Sequence, residues 1–394
     1  MFRFSALPPL SLYLHVPWCV RKCPYCDFNS HEARGPLPER EYVDALLRDL
    51  EQDLPRIWGR PIVSVFIGGG TPSLLSAEAL DRLLSGLRAL LKLAPDVEVT
   101  LEANPGTAEQ AKFSEFRAAG VNRLSIGAQS FDDGSLQRIG RIHGRREAVR
   151  AAEMAHAAGY ENFNLDLMYG LPNQSPAQAE ADLRTALDLE PTHLSYYQLT
   201  LEPNTWFYRH PPPLPEDEAL WAMHSQGVER LAERGYAQYE VSAYAQAGRQ
   251  CQHNLNYWRF GDYLGIGAGA HGKITDAREQ AIVRLCKARG PDDYLARVAE
   301  GTHVTQERRL GREEAPLEFM MNALRLNGGF ETALFSERVG LPITVVEAPL
   351  RAAEERGLIE WALTDIRPTE RGRLFLNDLL GLFVPAQGEG EEEV

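Results

Sequence analysis

Long apolar runs are missing from this sequence. Every apolar stretch is broken by charge or proline, and none approaches the ~18–20 residues that a membrane-spanning helix needs. Membrane insertion is therefore not expected. A basic excess is missing too: lysine and arginine number 41 against 55 aspartates and glutamates, a formal charge of −14 at pH 7. A net negative field repels phosphate backbones, so no nucleic-acid partner is expected. Cysteine is scarce, with five in 394 residues. Three of them fall between positions 19 and 26, and that clustering argues for metal binding or catalysis rather than a disulfide framework. Leu7–Val16 is apolar and follows Arg3, as in a signal peptide. However, Pro8 and Pro9 interrupt it and no small-residue cleavage site follows, so a first core strand and a reducing, cytoplasmic location are expected.

What is present is a regular alternation. Ser11–Val16, Pro61–Ile67, Val97–Leu101, Asn122–Ile126, Phe163–Met168 and His193–Gln198 read as strands, with helical periodicity between them. Six β–α units at even spacing predict an α/β domain with a parallel sheet, open or closed into a barrel. In either form, ligands gather at the C-terminal strand ends. Beyond them the pattern loosens. Tyr239–Tyr244 reads as a seventh strand, and the stretch from His253 to Gly272 is rich in glycine and aromatics. After about Thr305 come amphipathic helices and a small hairpin, Leu358–Trp361 with Ile366–Thr369, suggesting a winged-helix-like unit. A single core stops growing at roughly 250–300 residues. We therefore expect a large domain over 1–300, a smaller one over 301–387 and an acidic tail over 388–394.

The cysteine cluster reads Cys19-Val-Arg-Lys-Cys23-Pro-Tyr-Cys26-Asp-Phe28, just after the first strand. Three thiolates on one tight loop can hold three corners of an iron–sulfur cube, leaving the fourth iron open to a small molecule. The other reading is a structural zinc site completed by His15 or His31. Such sites usually pair cysteines as two C-x-x-C units, and a second pair is absent. Gly68-Gly69-Gly70-Thr71-Pro72 closes the second strand and lets backbone approach a ligand. It lacks the lysine of a phosphate-binding P-loop. Glu102, Gln129 and Asp166 stand at or just past later strand ends, with Arg141 between them in sequence.

C-x3-C-x2-C with an aromatic before the last cysteine resembles the radical S-adenosylmethionine (SAM) superfamily. The resemblance implies a partial (β/α)6 barrel and a [4Fe–4S] cluster on Cys19, Cys23 and Cys26. It implies SAM on the open iron, cleaved reductively to a 5′-deoxyadenosyl radical. It assigns Tyr13, Tyr25, Gly69, Gly70, Thr71, Glu102, Gln129, Arg141 and Asp166 to SAM binding.

Ser125-Ile-Gly-Ala-Gln-Ser-Phe131, Asp166-Leu-Met-Tyr-Gly-Leu-Pro172 and Arg367-Pro-Thr-Glu-Arg-Gly372 are similar to the oxygen-independent coproporphyrinogen III oxidase group. The true oxidases resemble C-x3-C-x2-C-x-C, whereas Phe28 stands at the last position here. His253-Asn-Leu-Asn-Tyr257-Trp258 is similar to the H-N-x-x-Y-W motif of the HemW-type heme chaperone branch. In physical terms His253 offers an imidazole for heme iron, and Tyr257 and Trp258 offer flat apolar faces. The same three residues also fit an aromatic packing cluster. No C-x-x-C-H run is present for c-type attachment. The resemblance implies a carrier that binds heme and passes it to an acceptor haemoprotein, membrane-bound acceptors included. The alternative is an oxidase that decarboxylates coproporphyrinogen III. A third possibility, a radical enzyme acting on RNA, is disfavoured by the acidic balance.

Overall fold

The computed structural model describes residues 2–385, apart from the side chains of 107 and 108; the acidic tail expected over 388–394 lies outside the described residues. Twelve strands form one sheet. Its centre is β1 (Leu10–Val16), β2 (Pro61–Gly69), β3 (Lys92–Ala103), β4 (Arg123–Gln129), β5 (Phe163–Tyr169) and β6 (His193–Gln198). These six lie side by side in chain order, every pair parallel. They are joined by the crossover helices α1 (Glu39–Ile57), α2 (Ala77–Leu90), α3 (Phe113–Ala119), α4 (Arg145–Ala157) and α5 (Pro176–Asp188), and α6 (Asp217–Glu233) follows β6. Ser76 and Ser175 cap α2 and α5 through their hydroxyls, satisfying first-turn amides.

The sheet extends beyond the six expected units at both edges. The single strand expected over Tyr239–Tyr244 is instead a tight hairpin of β7 (Ala237–Glu240) and β8 (Ala243–Ala245). Ser242 N–H donates to Glu240 Oε1 at 3.2 Å and helps to turn the chain. At the other edge β9 (Asp262–Ile266) pairs parallel with β1. The antiparallel β10 (His271–Asp276), β11 (Ala281–Lys287) and β12 (Val304–Arg309) continue outward from it. The sheet thus runs past the expected domain boundary at 300.

Two-residue alternation explains how this sheet sorts its faces. β1 reads LSLYLHV, and its Leu10, Leu12, Leu14 and Val16 join Val65, Ile67, Val99, Leu101, Leu124, Ile126, Leu165, Leu167 and Leu194 in one apolar core with the helices. The intervening residues, largely polar, fall on the opposite face. That concave face is bridged at its base by a short helix, α7 (Gln252–Trp258).

A second apolar cluster holds Leu310, Phe319, Met320, Phe335, Leu350 and Ile366 of the C-terminal module. Its helix α9 (Glu314–Ala323, after α8, Pro291–Glu300) packs near the three-stranded sheet of β13 (Phe330–Glu331), β15 (Asp365–Pro368) and β14 (Ile359–Trp361). Phe2, Phe4, Phe260 and Ile282 belong to the same cluster, so the module is joined to the large sheet by packing. Among the described residues no helix is long and apolar enough to cross a membrane.

Candidate functional site

The inward register of the central strands brings one residue set together. Tyr13 of β1, Phe66 of β2, Glu102 of β3, Ser125 and Gln129 of β4, Asp166 of β5 and Tyr197 of β6 line a cavity of about 550 Å³. Cys19, Cys23, Tyr25, Cys26, Gly69, Gly70, Thr71, Arg141 and His253 line it as well. The thirteen residues expected to hold the cluster, SAM or heme iron therefore border the same space, as do Tyr257 and Trp258, whereas His15 and His31 do not.

The cysteine loop is held by backbone bonds to the glycine-rich end of β2. Gly70 N–H donates to Val16 O and Thr71 N–H to Trp18 O, both at 2.7 Å. A Cβ on Gly70 would lie 2.5 Å from Trp18 O, so only glycine permits this approach. Gly69 has φ +121° and leaves room for the His15 ring. Inside the loop, Lys22 Nζ donates to Phe28 O at 3.1 Å and Ser30 O at 3.2 Å. Arg141 Nη1 approaches Cys23 Sγ at 3.7 Å, while its Nη2 donates to Gly127 O at 2.6 Å and Asn104 Oδ1 at 2.7 Å. Burial raises the Cys19 thiol above its ordinary value, with Cys26 and Cys23 adding to it and a Thr71 contact opposing. A cation beside Cys19 would favour its thiolate. Both nitrogens of His15 are engaged, Nε2 donating to Asn29 O at 2.8 Å and Nδ1 accepting from Tyr13 O–H at 3.0 Å, so it is not free to complete a zinc site.

The strand ends carry an acidic pair. Glu102 Oε2 accepts from Gly69 N–H at 3.0 Å. Burial, and then the Asp166 carboxylate, push Glu102 up to about 8. Asp166 is also raised by burial, against hydrogen bonds from Asn164 and Ser195. Gln129 sits in the left-handed region at φ 67°, a conformation that costs a non-glycine residue energy and marks functional turns. Tyr197 O–H donates to Gln129 Oε1 at 2.8 Å.

His253 lies at the base of the concave face, 3% exposed. The N-terminus of α7 is fixed by Glu98 Oε1, which accepts from Gln252 N–H at 2.9 Å and His253 N–H at 3.2 Å. His253 Nδ1 is hydrogen-bonded with Ser64 Oγ at 3.0 Å, and Ser64 in turn with Ser11 Oγ at 2.7 Å. Nε2 is buried and has no partner among the described residues. Burial, with help from Arg123, lowers the imidazole to about 3, so it is neutral. Phe66 and Tyr257 flank the ring, with centroids at 5.0 and 5.3 Å.

Residues 13–186 match the model of the Radical SAM superfamily, and residues 310–375 that of the HemN C-terminal domain. The chain is 52% identical to the heme chaperone HemW of Escherichia coli (strain K12) over 380 residues, covering 96% of itself and 99% of that protein. It belongs to the HemW family of radical SAM proteins. A Bacillus subtilis (strain 168) protein of the same name is 36% identical over 385 residues, covering 95% of this chain and 99% of that one. The fold is that of E. coli coproporphyrinogen III oxidase HemN, with a TM-score of 0.81 over 96% of this chain and 90% of that one, at 24% identity.

In this member of the HemW family, sequence reasoning missed several residues around the cavity. Ser11, Ser64, Arg123, Ser125, Asn164, His193 and Ser195 occupy the same inward register. The alternation within each strand would have found them. Asp182 is a different case: its carboxylate accepts from Ser130 Oγ at 2.6 Å and Phe131 N–H at 2.7 Å and so fixes the turn that holds Gln129. It comes from the middle of α5, and no local pattern announces it.

Proposed function

We propose that the chain is a cytoplasmic heme chaperone that binds heme and passes it to an acceptor haemoprotein, membrane-bound acceptors included. The observation that carries this reading is His253: a neutral, buried imidazole whose Nε2 lacks a partner, bordering the same cavity as the three cysteines. A ligating histidine usually gives its other ring nitrogen to a hydrogen-bond partner, and Ser64 Oγ stands at Nδ1 for that role. Tyr257 and Trp258 supply flat faces beside it. The relatives named heme chaperone support the same reading.

Cys19, Cys23 and Cys26 would hold a [4Fe–4S] cluster, with Arg141 beside Cys23 offsetting its negative charge. Such a cluster, when bound, supplies an electron and an open iron to SAM. Glu102, Asp166 and Gln129 would meet the polar groups of SAM, together with Tyr13, Tyr25 and Arg141. Gly69, Gly70 and Thr71 would give it backbone contact.

The fold is shared with an oxidase and does not by itself choose between the two activities. The test is an anaerobic assay of cluster-reconstituted protein with SAM, a strong reductant and coproporphyrinogen III. No decarboxylated product by mass spectrometry, together with heme binding in a separate titration of the same protein, is the expected result. Loss of carboxylate mass from the porphyrinogen would make the chain an oxidase.

A further inference from the structure

Besides Arg123 Nε, which faces the Glu98 carboxylate at 4.0 Å, three nitrogen atoms at the base of this cavity share one deficiency. His253 Nε2, Trp258 Nε1 and Arg325 Nε are all buried, all belong to residues lining the cavity, and all lack a hydrogen-bond partner among the described residues. A buried donor without an acceptor costs about 1–3 kcal/mol, so such groups are rarely gathered without reason. The indole and guanidinium nitrogens can only donate. What they lack is an acceptor, and Arg325, whose Glu240 partner engages only one of its nitrogens, favours an anionic one.

Arg325 comes from the C-terminal module, just beyond α9. Its position is fixed by backbone and side-chain bonds of the next two residues to the edge of the large sheet. Leu326 bridges to Glu240, Asn327 N–H donates to Tyr239 O at 3.0 Å, and Asn327 Nδ2 donates to Gln238 O at 3.0 Å. The guanidinium lies over the Trp258 ring, 4.4 Å from its centroid. Glu240 Oε2 accepts from Nη2 at 3.3 Å and takes one donor of the planar fork. The side chain remains 30% exposed, so its outer edge can be reached.

We infer that Arg325 and Trp258 Nε1 bind a carboxylate of the tetrapyrrole, so that the C-terminal module supplies the anion-recognition half of the ligand site. This rests on the heme reading and extends it. His253 would meet the metal, the aromatic faces the ring, and Arg325 the acidic periphery. A planar guanidinium edge matches a carboxylate through two parallel N–H bonds.

The experiment compares ferric heme with its dimethyl ester, which keeps iron and ring but carries no carboxylate charge. Both are titrated into the full-length protein, into Trp258→Phe, which removes the indole N–H and keeps a smaller aromatic face, and into Arg325→Met. Heme affinity is expected to fall at least threefold in Trp258→Phe and at least tenfold in Arg325→Met. Ester affinity should change less than twofold in either variant. Equal losses for both ligands, or no loss for either, would overturn the carboxylate assignment while leaving heme binding at His253 standing. If Arg325→Met fails to fold, Trp258→Phe alone decides. Wild-type protein that binds neither ligand would remove the heme reading, and this inference with it.

Discussion

With no cation beside it, Glu102 is protonated at pH 7, because its carboxyl titrates near 8 instead of at its ordinary 4.5. The folded state therefore holds a proton that the unfolded state gives up between those values. Stability falls as pH rises through that window, and the loss is complete above it. Glu102→Gln removes the dependence and should stabilise the ligand-free protein by about 2 kcal/mol at pH 8 relative to pH 5. That is less than the full shift implies, because the group is open to the cavity on one side. Denaturant melts at the two pH values check it. A ligand that brings an ammonium or sulfonium to Glu102 reverses the preference, so SAM binding should release a proton and tighten as pH rises toward 8. Calorimetry in two buffers of different ionisation heat reads that proton. At the cysteine loop, Cys23→Ser is expected to lose the brown iron–sulfur absorbance. Unchanged iron per chain would remove Cys23 as a ligand, and heme titration of the same variant should show His253 unaffected.

At the level of elements, the glycine-rich end of β2 acts as a seat for the cysteine loop. Gly70→Ala would drive a Cβ to within 2.5 Å of Trp18 O, a backbone atom that cannot swing aside. The expected cost is about 2 kcal/mol of stability and a reduced iron content after reconstitution. A full iron load in a stable Gly70→Ala protein would show that the loop does not depend on this approach. Helix α7 depends on β1 and β2 in another way, through the Ser11–Ser64–His253 series. Ser64→Ala frees the Nδ1 side of the ring, and losing such a partner typically weakens metal ligation 10–100-fold. Heme titration should show a loss of that order without any change in cluster absorbance.

The six β–α units were legible because each strand is short, apolar on one face and closed by a helix with its own cap or glycine stop. β9 was not, because Asp262-Tyr-Leu-Gly-Ile266 contains a glycine and is flanked by Gly261 and Gly267, which read as a loop. β10 to β12 were missed because their half-polar strands resemble the loops they join. The cysteines were legible because their spacing alone defines the loop. Arg325 was not, since nothing around Leu324–Asn327 marks it until the C-terminal module is set against the edge of the sheet.

At the scale of the whole molecule, one cavity has to serve two ligands. Its volume of about 550 Å³ is that of a site for a single small molecule, which commonly spans ~300–1,000 Å³. Yet the cysteines and strand-end carboxylates border it at one end and His253, Trp258 and Arg325 at the other. Tyr13 and Phe66 stand between these ends: Phe66 packs against His253, Tyr13 lies 6.4 Å from it by ring centroid, and Tyr13 bonds to His15 beside Gly69. SAM and heme are therefore expected to oppose each other, with saturating SAM weakening heme about tenfold, a coupling of ~1.4 kcal/mol. Linkage requires heme to weaken SAM by the same factor, so the two titrations test one number from opposite sides. A measured antagonism of equal size in both directions would give the cluster end a role in a carrier: SAM arriving there loosens heme for hand-off, without any porphyrin chemistry. Two independent affinities would instead show that the two ends of the cavity are filled without contact, and would remove SAM as the trigger for hand-off.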